Sequence, residues 1–191
     1  MKTKILRIGD KKLLTVTIEI LRKGGLFVFP SETCYGIGCD ATKTRSVEKI
    51  YSIKKRPKSK KMAFYFHNVR TAKQFIEIDH ASEKIARKLM PGPLSIVTQN
   101  GYGFRIPNQP FLLRLLKEYR KPIAQTSANI SGNKNIYKIK DAIKTFDGKV
   151  DMIIDGGDLP PQLASTVFDT ASKKVLRRGS LTKKEIMEAL K

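Results

Sequence analysis

Two short apolar runs that empty into polar loops constrain this chain more than any other feature. Residues 26–30 run into Ser31-Glu32-Thr33, and Pro122-Ile123-Ala124 runs towards the hexapeptide Ser127-Ala128-Asn129-Ile130-Ser131-Gly132. A short apolar run bounded by turn formers reads as a buried strand. The hydroxyls, amide and glycine that follow favour turns, because such side chains bond nearby backbone, and they also offer donors and acceptors to a ligand. Strand ends are where open α/β sheets carry their ligand sites. Taken alone, each loop is more often an ordinary turn than a site.

Elsewhere the hydrophobic spacing is helical. Leu13, Leu14, Val16, Ile18, Ile20 and Leu21 predict a helix that ends at Gly24-Gly25. Residues 44–54 predict a second, with Val47, Ile50 and Tyr51 on one face and Pro57 as its stop. Further helices are expected over 72–78, 82–90, 110–119, 139–146 and 182–190. Strands are expected over 62–67, 94–98, 102–106, 152–155, 166–169 and 174–177. Ser31-Glu32-Thr33-Cys34-Tyr35-Gly36-Ile37-Gly38 reads as a glycine-containing turn that matches neither a Walker A loop nor a GxGxxG fingerprint. This order of segments predicts an α/β fold, a mixed twisted sheet flanked by helices rather than a regular βαβ array.

At 191 residues the chain is expected to form a single domain, 1–191, with a sizeable core. A hydrophobic content of 40% and a charged content of 29% fit a globular class. No apolar run approaches the ~20 residues of a membrane span, and the basic residues 1–12 lack the apolar stretch of a signal peptide. Cys34 and Cys39 stand in no zinc-like spacing and are expected to be reduced thiols of a cytoplasmic protein. The net charge of +21 attracts polyanions. It fits an RNA binder, a nucleotide enzyme or merely a lysine-rich surface.

Several other segments carry chemistry-bearing residues. Lys54-Lys55-Arg56-Pro57-Lys58-Ser59-Lys60-Lys61 places six cations in eight residues, just past a predicted helix end. Such a run is either a solvated face or a phosphate grip, the arginine offering a planar fork and the lysines point charges. Arg105 lies between Phe104 and Ile106 in a predicted strand, where a buried guanidinium requires either a structural partner or an anionic ligand. Pro91-Gly92-Pro93 reads as a rigid turn, and Ser165-Thr166-Val167-Phe168-Asp169 and Arg177-Arg178-Gly179 carry little by themselves.

In combination and in this order, FPSETCYGIG, KKRPKSKK, PGPLS, FRIP, SANISG, STVFD and LRRG resemble the YrdC-like family, in its short, single-domain branch. The resemblance implies a mixed α/β fold with a large basic cavity and threonylcarbamoyl-AMP synthase activity. In that reaction L-threonine, bicarbonate and ATP give threonylcarbamoyl-adenylate and pyrophosphate, for N6-threonylcarbamoyladenosine at position 37 of tRNA. By resemblance, Thr33 contacts threonine, while Lys54, Arg56 and Lys60 hold the phosphates and the carbonate-derived group. Arg105 meets the threonine carboxylate, and Ser127 and Asn129 line the shared cavity. Ser165 helps to bind threonine and Arg177 contacts the nucleotide.

The nucleophile is a carbamate made from substrate, so no serine or cysteine nucleophile is required. Only two histidines exist, His67 and His80, and neither lies in a matching segment. Such a site works by positioning and charge neutralisation. Mg2+ is implied on the nucleotide phosphates, held by phosphate oxygens and water rather than by protein ligands. A downstream threonylcarbamoyl-transferase complex would receive the product, and tRNA itself is a further candidate partner. The chain departs from the family pattern at Ser31, Ser95 and Lys61; the first two keep a hydroxyl and the third adds charge.

Two other readings compete. A non-catalytic structured-RNA-binding or ribosome-assembly protein accounts for the charge but gives Thr33, Asn129 and Ser165 no task, and no RRM or KH pattern is present. Carbamoyl-adenylate chemistry of the hydrogenase-maturation type normally resides in a much larger multidomain chain.

Overall fold

The computed structural model describes residues 2–191; Met1, the first residue of the basic N-terminal segment, lies outside them. The elements run β1 (Lys4–Arg7), α1 (Leu13–Arg22), β2 (Phe27–Pro30), β3 (Tyr35–Asp40), α2 (Thr44–Ile53), β4 (Ala63–Tyr65), α3 (Val69–Ala72) and α4 (His80–Leu89). They continue with β5 (Leu94–Val97), β6 (Gly103–Arg105), α5 (Pro110–Tyr119), β7 (Ile123–Ser127), α6 (Ile139–Phe146), β8 (Met152–Asp155), β9 (Thr166–Asp169), β10 (Lys174–Arg177) and α7 (Lys183–Glu188). The expected mixed α/β class is what forms. The chain makes two compact units, Met1–Met62 with Ile123–Pro161 and Ala63–Pro122 with Gln162–Lys191.

In the first unit the strands lie in the order β1-β8-β2-β3-β7. The pairs β1–β8 and β8–β2 are parallel, and β2–β3 and β3–β7 are antiparallel. Every residue of β2 and β3 is buried, as befits strands covered on both faces. The segment read as a turn over 31–38 is therefore half strand. Its glycines make room rather than bend the chain: a Cβ at Gly36 would lie 2.7 Å from the Phe29 ring, and one at Gly38 would lie 2.9 Å from an Ile123 methyl. Strand β1 was not legible because its Lys-Ile-Leu-Arg composition suits an exposed edge.

In the second unit the order is β4-β6-β5-β9-β10. Here β4–β6 and β5–β9 are parallel, while β5–β6 and β9–β10 are antiparallel. Its core gathers Phe66, Ile85, Leu94, Ile96, Phe104 and Phe168, with Ile186 from the C-terminal helix. The helix expected over 72–78 instead starts at Val69 and stops at Ala72. Asn68 starts it early by accepting from the Thr71 amide at 2.8 Å. Beyond Ala72 the amides of Gln74 and Phe75 turn to carbonyls only three residues back, which tightens the chain out of the helix.

Asp79 ties this unit together. Its carboxylate accepts from the Ser82 amide (2.8 Å), the Ser82 hydroxyl (2.6 Å) and the Gln99 amide (3.2 Å), joining α4 to the end of β5. Burial alone would raise its pKa, but these hydrogen bonds outweigh burial and hold the carboxyl below its ordinary value. Asp79→Ala is expected to cost about 1–2 kcal/mol at neutral pH, as for loss of a helix cap. Because the folded pKa is the lower one, that advantage is complete above the unfolded value near 3.8 and fades as pH falls through the folded value. Urea unfolding at pH 7 and at pH 3 would measure both effects.

Candidate functional site

Thr33 sits in the turn between β2 and β3. Ser31 Oγ donates to the Cys34 carbonyl at 2.6 Å and accepts from the amides of Thr33 (3.2 Å) and Cys34 (3.3 Å). Thr33 Oγ1 lies 3.2 Å from Ser31 Oγ, and both residues are only 7% exposed. Tyr35, the next strand residue, reaches three loops. Its carbonyl accepts from the Ala128 amide (2.7 Å) and its amide donates to the Ile136 carbonyl (2.9 Å). Its phenol donates to the Gly157 carbonyl (2.7 Å) and accepts from the Gly156 amide (3.1 Å). Burial pushes that phenol up to about 12, so it stays protonated and a donor.

Pairing of β3 with β7 sets Gly36 opposite Ser127, which brings the two strand-to-loop junctions side by side. Lys54, at the C-terminal end of α2, reaches the same loop. Its side chain is 1% exposed, and Nζ donates to the carbonyls of Ser127 and Asn129 and, at 3.3 Å, to Asn129 Oδ1. Three ammonium donors thus meet three oxygens. The Lys54 carbonyl in turn accepts from the Ser131 amide at 2.8 Å. Desolvation first, then repulsion from Arg56, lowers the Lys54 pKa to about 8, with Cys34 acting in the opposite direction.

Asn129 is occupied within the same network. Oδ1 accepts from Ser127 Oγ at 2.6 Å, and Nδ2 donates to the carbonyls of Asn133 (2.6 Å) and Ile130 (3.2 Å). In the basic run, Arg56 folds back onto its own loop. Nε donates to the Lys60 carbonyl at 2.8 Å and one Nη to the Lys61 carbonyl at 3.0 Å, leaving three of its roughly five N–H donors. Tyr51 Oη also donates to the Lys60 carbonyl, at 3.2 Å. The loop is thereby shaped by its arginine while Lys55, Lys58, Lys60 and Lys61 remain exposed.

The second unit holds Arg105, Ser165 and Arg177. Arg105 is 2% exposed; Nε donates to the Gly92 carbonyl at 2.9 Å, and its guanidinium carbon lies 5.8 Å from the centroid of the Tyr65 ring. The Pro91-Gly92-Pro93 segment, readable in sequence only as a rigid turn, supplies the carbonyl that orients this arginine. Arg177 Nε donates to the Ser165 carbonyl (3.0 Å) and Nη2 to Ser165 Oγ (2.7 Å), with Ser95 Oγ 3.4 Å from Ser165 Oγ.

Thr33, Lys54, Arg56, Lys60, Ser127 and Asn129 thus belong to one unit and the other three to the second. Sequence reasoning gave Ser31, Gly92 and Asn133 no place in the site. The Ser-x-Thr spacing at 31–33 was a usable signal for the first; the other two act through backbone carbonyls, which carry no residue signature. Cys34 and Cys39 are both buried, and burial followed by Asp40 pushes the Cys39 thiol up to about 12. Among the described residues no group of three or more His, Cys, Asp or Glu could hold a metal ion, and no helix is long and apolar enough to cross a membrane.

The family model for Sua5, YciO and YrdC proteins, described as telomere recombination, matches residues 19–179. The chain is 30% identical over 200 residues to a threonylcarbamoyl-AMP synthase of Pyrococcus abyssi, covering 96% of this chain and 58% of that protein. It is 30% identical over 187 residues to a threonylcarbamoyl-AMP synthase of Bacillus subtilis, covering 87% and 53%. It therefore spans between 53% and 58% of the length of these curated relatives. Among solved structures, Pyrococcus abyssi Sua5 complexed with L-threonine superposes with a TM-score of 0.88 at 28% identity, over 99% of this chain and 61% of that one. With the model match running from α1 through both strand-to-loop junctions and the basic run to Arg177, the chain belongs to the Sua5/YciO/YrdC family.

Proposed function

We propose that this chain, acting as one catalytic domain, is a threonylcarbamoyl-AMP synthase. It joins L-threonine, bicarbonate and ATP into threonylcarbamoyl-adenylate and pyrophosphate. The observation that carries this reading is the likeness, along 99% of the chain, to a Sua5 structure complexed with L-threonine. The threonine amine combines with bicarbonate to give a carbamate and water; a carbamate oxygen attacks the α-phosphorus of ATP, and pyrophosphate leaves. The chain's contribution is to position three substrates and neutralise their charge.

Thr33, Arg105 and Ser165 are assigned to the amino acid, Arg105 meeting its carboxylate. Arg56 and Lys60 are assigned to the phosphates, for which the exposed lysines of a shaped loop and the remaining donors of Arg56 are suited. Lys54, Ser127 and Asn129 hold the loop beside them, since their polar atoms bond one another. Arg177, which donates to Ser165, is assigned to the nucleotide. Mg2+ would be held by the phosphate oxygens of ATP and by water, and would neutralise phosphate charge there. The product passes to a threonylcarbamoyl-transferase that modifies tRNA in the cytoplasm, and the +21 charge favours contact with that tRNA.

Purified protein supplied with ATP, bicarbonate and L-threonine is expected to release pyrophosphate only when all three are present, with a product carrying threonine and AMP. Release of ADP and phosphate without threonine would overturn the assignment. Binding of structured RNA with no turnover would favour the non-catalytic alternative.

A further inference from the structure

We infer that Tyr65 is a positioning residue, whose ring holds the Arg105 guanidinium in the orientation that meets the carboxylate of the amino-acid substrate. This rests on the proposed function and on the register of one strand pair. Strands β4 and β6 run parallel, with Phe64 opposite Phe104 and Tyr65 opposite Arg105. Successive side chains of a strand point to opposite faces. Phe64 and Phe104 pack into the core of the unit, so Tyr65 and Arg105 stand together on the other face. There the guanidinium carbon lies 5.8 Å from the centroid of the Tyr65 ring, within cation–π range, and both residues are only 2% exposed. A ring attracts a desolvated cation more strongly than one in water.

The ring complements the hydrogen bond from Arg105 Nε to the Gly92 carbonyl, 2.9 Å long, which pins one edge of the guanidinium. A bond on Nε alone would leave the plane free to turn about it. The ring limits that turn, because it attracts the cation through its π-face rather than by accepting in the plane. Neither the ring nor the carbonyl carries a charge, so neither cancels the charge that a carboxylate seeks. A carboxylate takes two parallel N–H bonds from an arginine only when the planar fork is aimed at it, so orientation sets both the strength and the geometry of the contact. An aliphatic side chain at position 65 would fill the space without that attraction. Tyr65 therefore acts on the substrate through Arg105 and touches none of the reacting atoms.

Calorimetric titration of L-threonine, and of L-threoninol, which has no carboxylate, tests this. Site-specific incorporation of increasingly fluorinated phenylalanines at position 65 keeps the shape of the ring and drains its negative face. Affinity for L-threonine is expected to fall stepwise along that series, about tenfold over the whole of it. Affinity for ATP, and whatever affinity L-threoninol has, should stay unchanged. Tyr65→Phe, which retains the ring, should bind L-threonine as the wild type does, and Tyr65→Leu should lose about as much as the fully fluorinated ring. An L-threonine affinity that stays flat along the fluorinated series overturns the inference, even if Tyr65→Leu fails to fold. So does a Tyr65→Phe variant that loses as much as Tyr65→Leu, or an equal loss for L-threoninol. A wild-type protein that binds no L-threonine overturns the proposed function together with this inference, whereas wild-type binding that the fluorinated ring retains in full overturns this inference alone.

Discussion

Lys54→Met is expected to cost about 2–4 kcal/mol of stability and to slow pyrophosphate release roughly a hundredfold. Methionine fills similar space but donates nothing, so the buried carbonyls of Ser127 and Asn129 and the Asn129 amide oxygen lose their shared partner. The loop they form would then be held mainly by the Ser131 amide on the residue-54 carbonyl and by Asn129 Nδ2. A misplacement of about 1 Å in a site that works by positioning is worth two orders of magnitude in rate. Lys54→Arg should not rescue it, because a planar fork cannot replace a compact ammonium in a space that is 1% exposed. Urea unfolding and specific activity on one preparation would check both effects; full activity would show that the ammonium is dispensable.

The same residue predicts a pH signature. Its pKa is about 8 when folded, against 10.5 for an ordinary lysine. Between these values the unfolded chain binds more protons than the folded one, so the contribution of this group makes the unfolding free energy rise with pH. Deprotonation, however, strips one of the three donors from the loop. Activity should therefore fall above about pH 8 without a matching loss of stability from this residue.

Gly179→Ala is expected to be the most destabilising single-methyl change in the second unit. The added Cβ would lie 2.1 Å from the Ala164 carbonyl oxygen, 2.4 Å from the Thr166 nitrogen and 2.5 Å from the Ser165 carbonyl carbon. All three are backbone atoms, so no side chain can swing aside. Thr166 is itself pinned, its amide donating to the Pro93 carbonyl at 2.9 Å and its hydroxyl to the Leu181 carbonyl at 2.7 Å. Relief would have to move the start of β9 or the exit of β10, and either movement opens the Arg177–Ser165 fork. A cost of about 3 kcal/mol is expected, which lowers Tm by roughly 6–12 °C in a chain of this size. Threonine-dependent activity should fall with it. A variant that melted with the wild type would show that the two segments have slack.

The sequence by itself determined the elements whose local pattern and tertiary fate agree. Helices α5 and α6 and strand β8 form over the residues that their periodicity marks, because propensity, amphipathicity and turn signals there all point one way. It also marked both strand-to-loop junctions and the basic run, since clustered hydroxyls and cations are visible without knowing their neighbours. Only the tertiary structure decided the rest. Gly36 and Gly38 read as turn residues, yet they form a buried strand because the Phe29 ring and an Ile123 methyl occupy the space that side chains would need. Lys54 read as one cation among six until the fold brought its ammonium to oxygens more than seventy residues along the chain. Arg105 found its orienting partner in the Gly92 carbonyl. A sequence displays side chains in order, whereas a backbone oxygen or an excluded volume has no letter of its own. What those groups demand becomes legible only when packing brings distant segments within hydrogen-bonding reach.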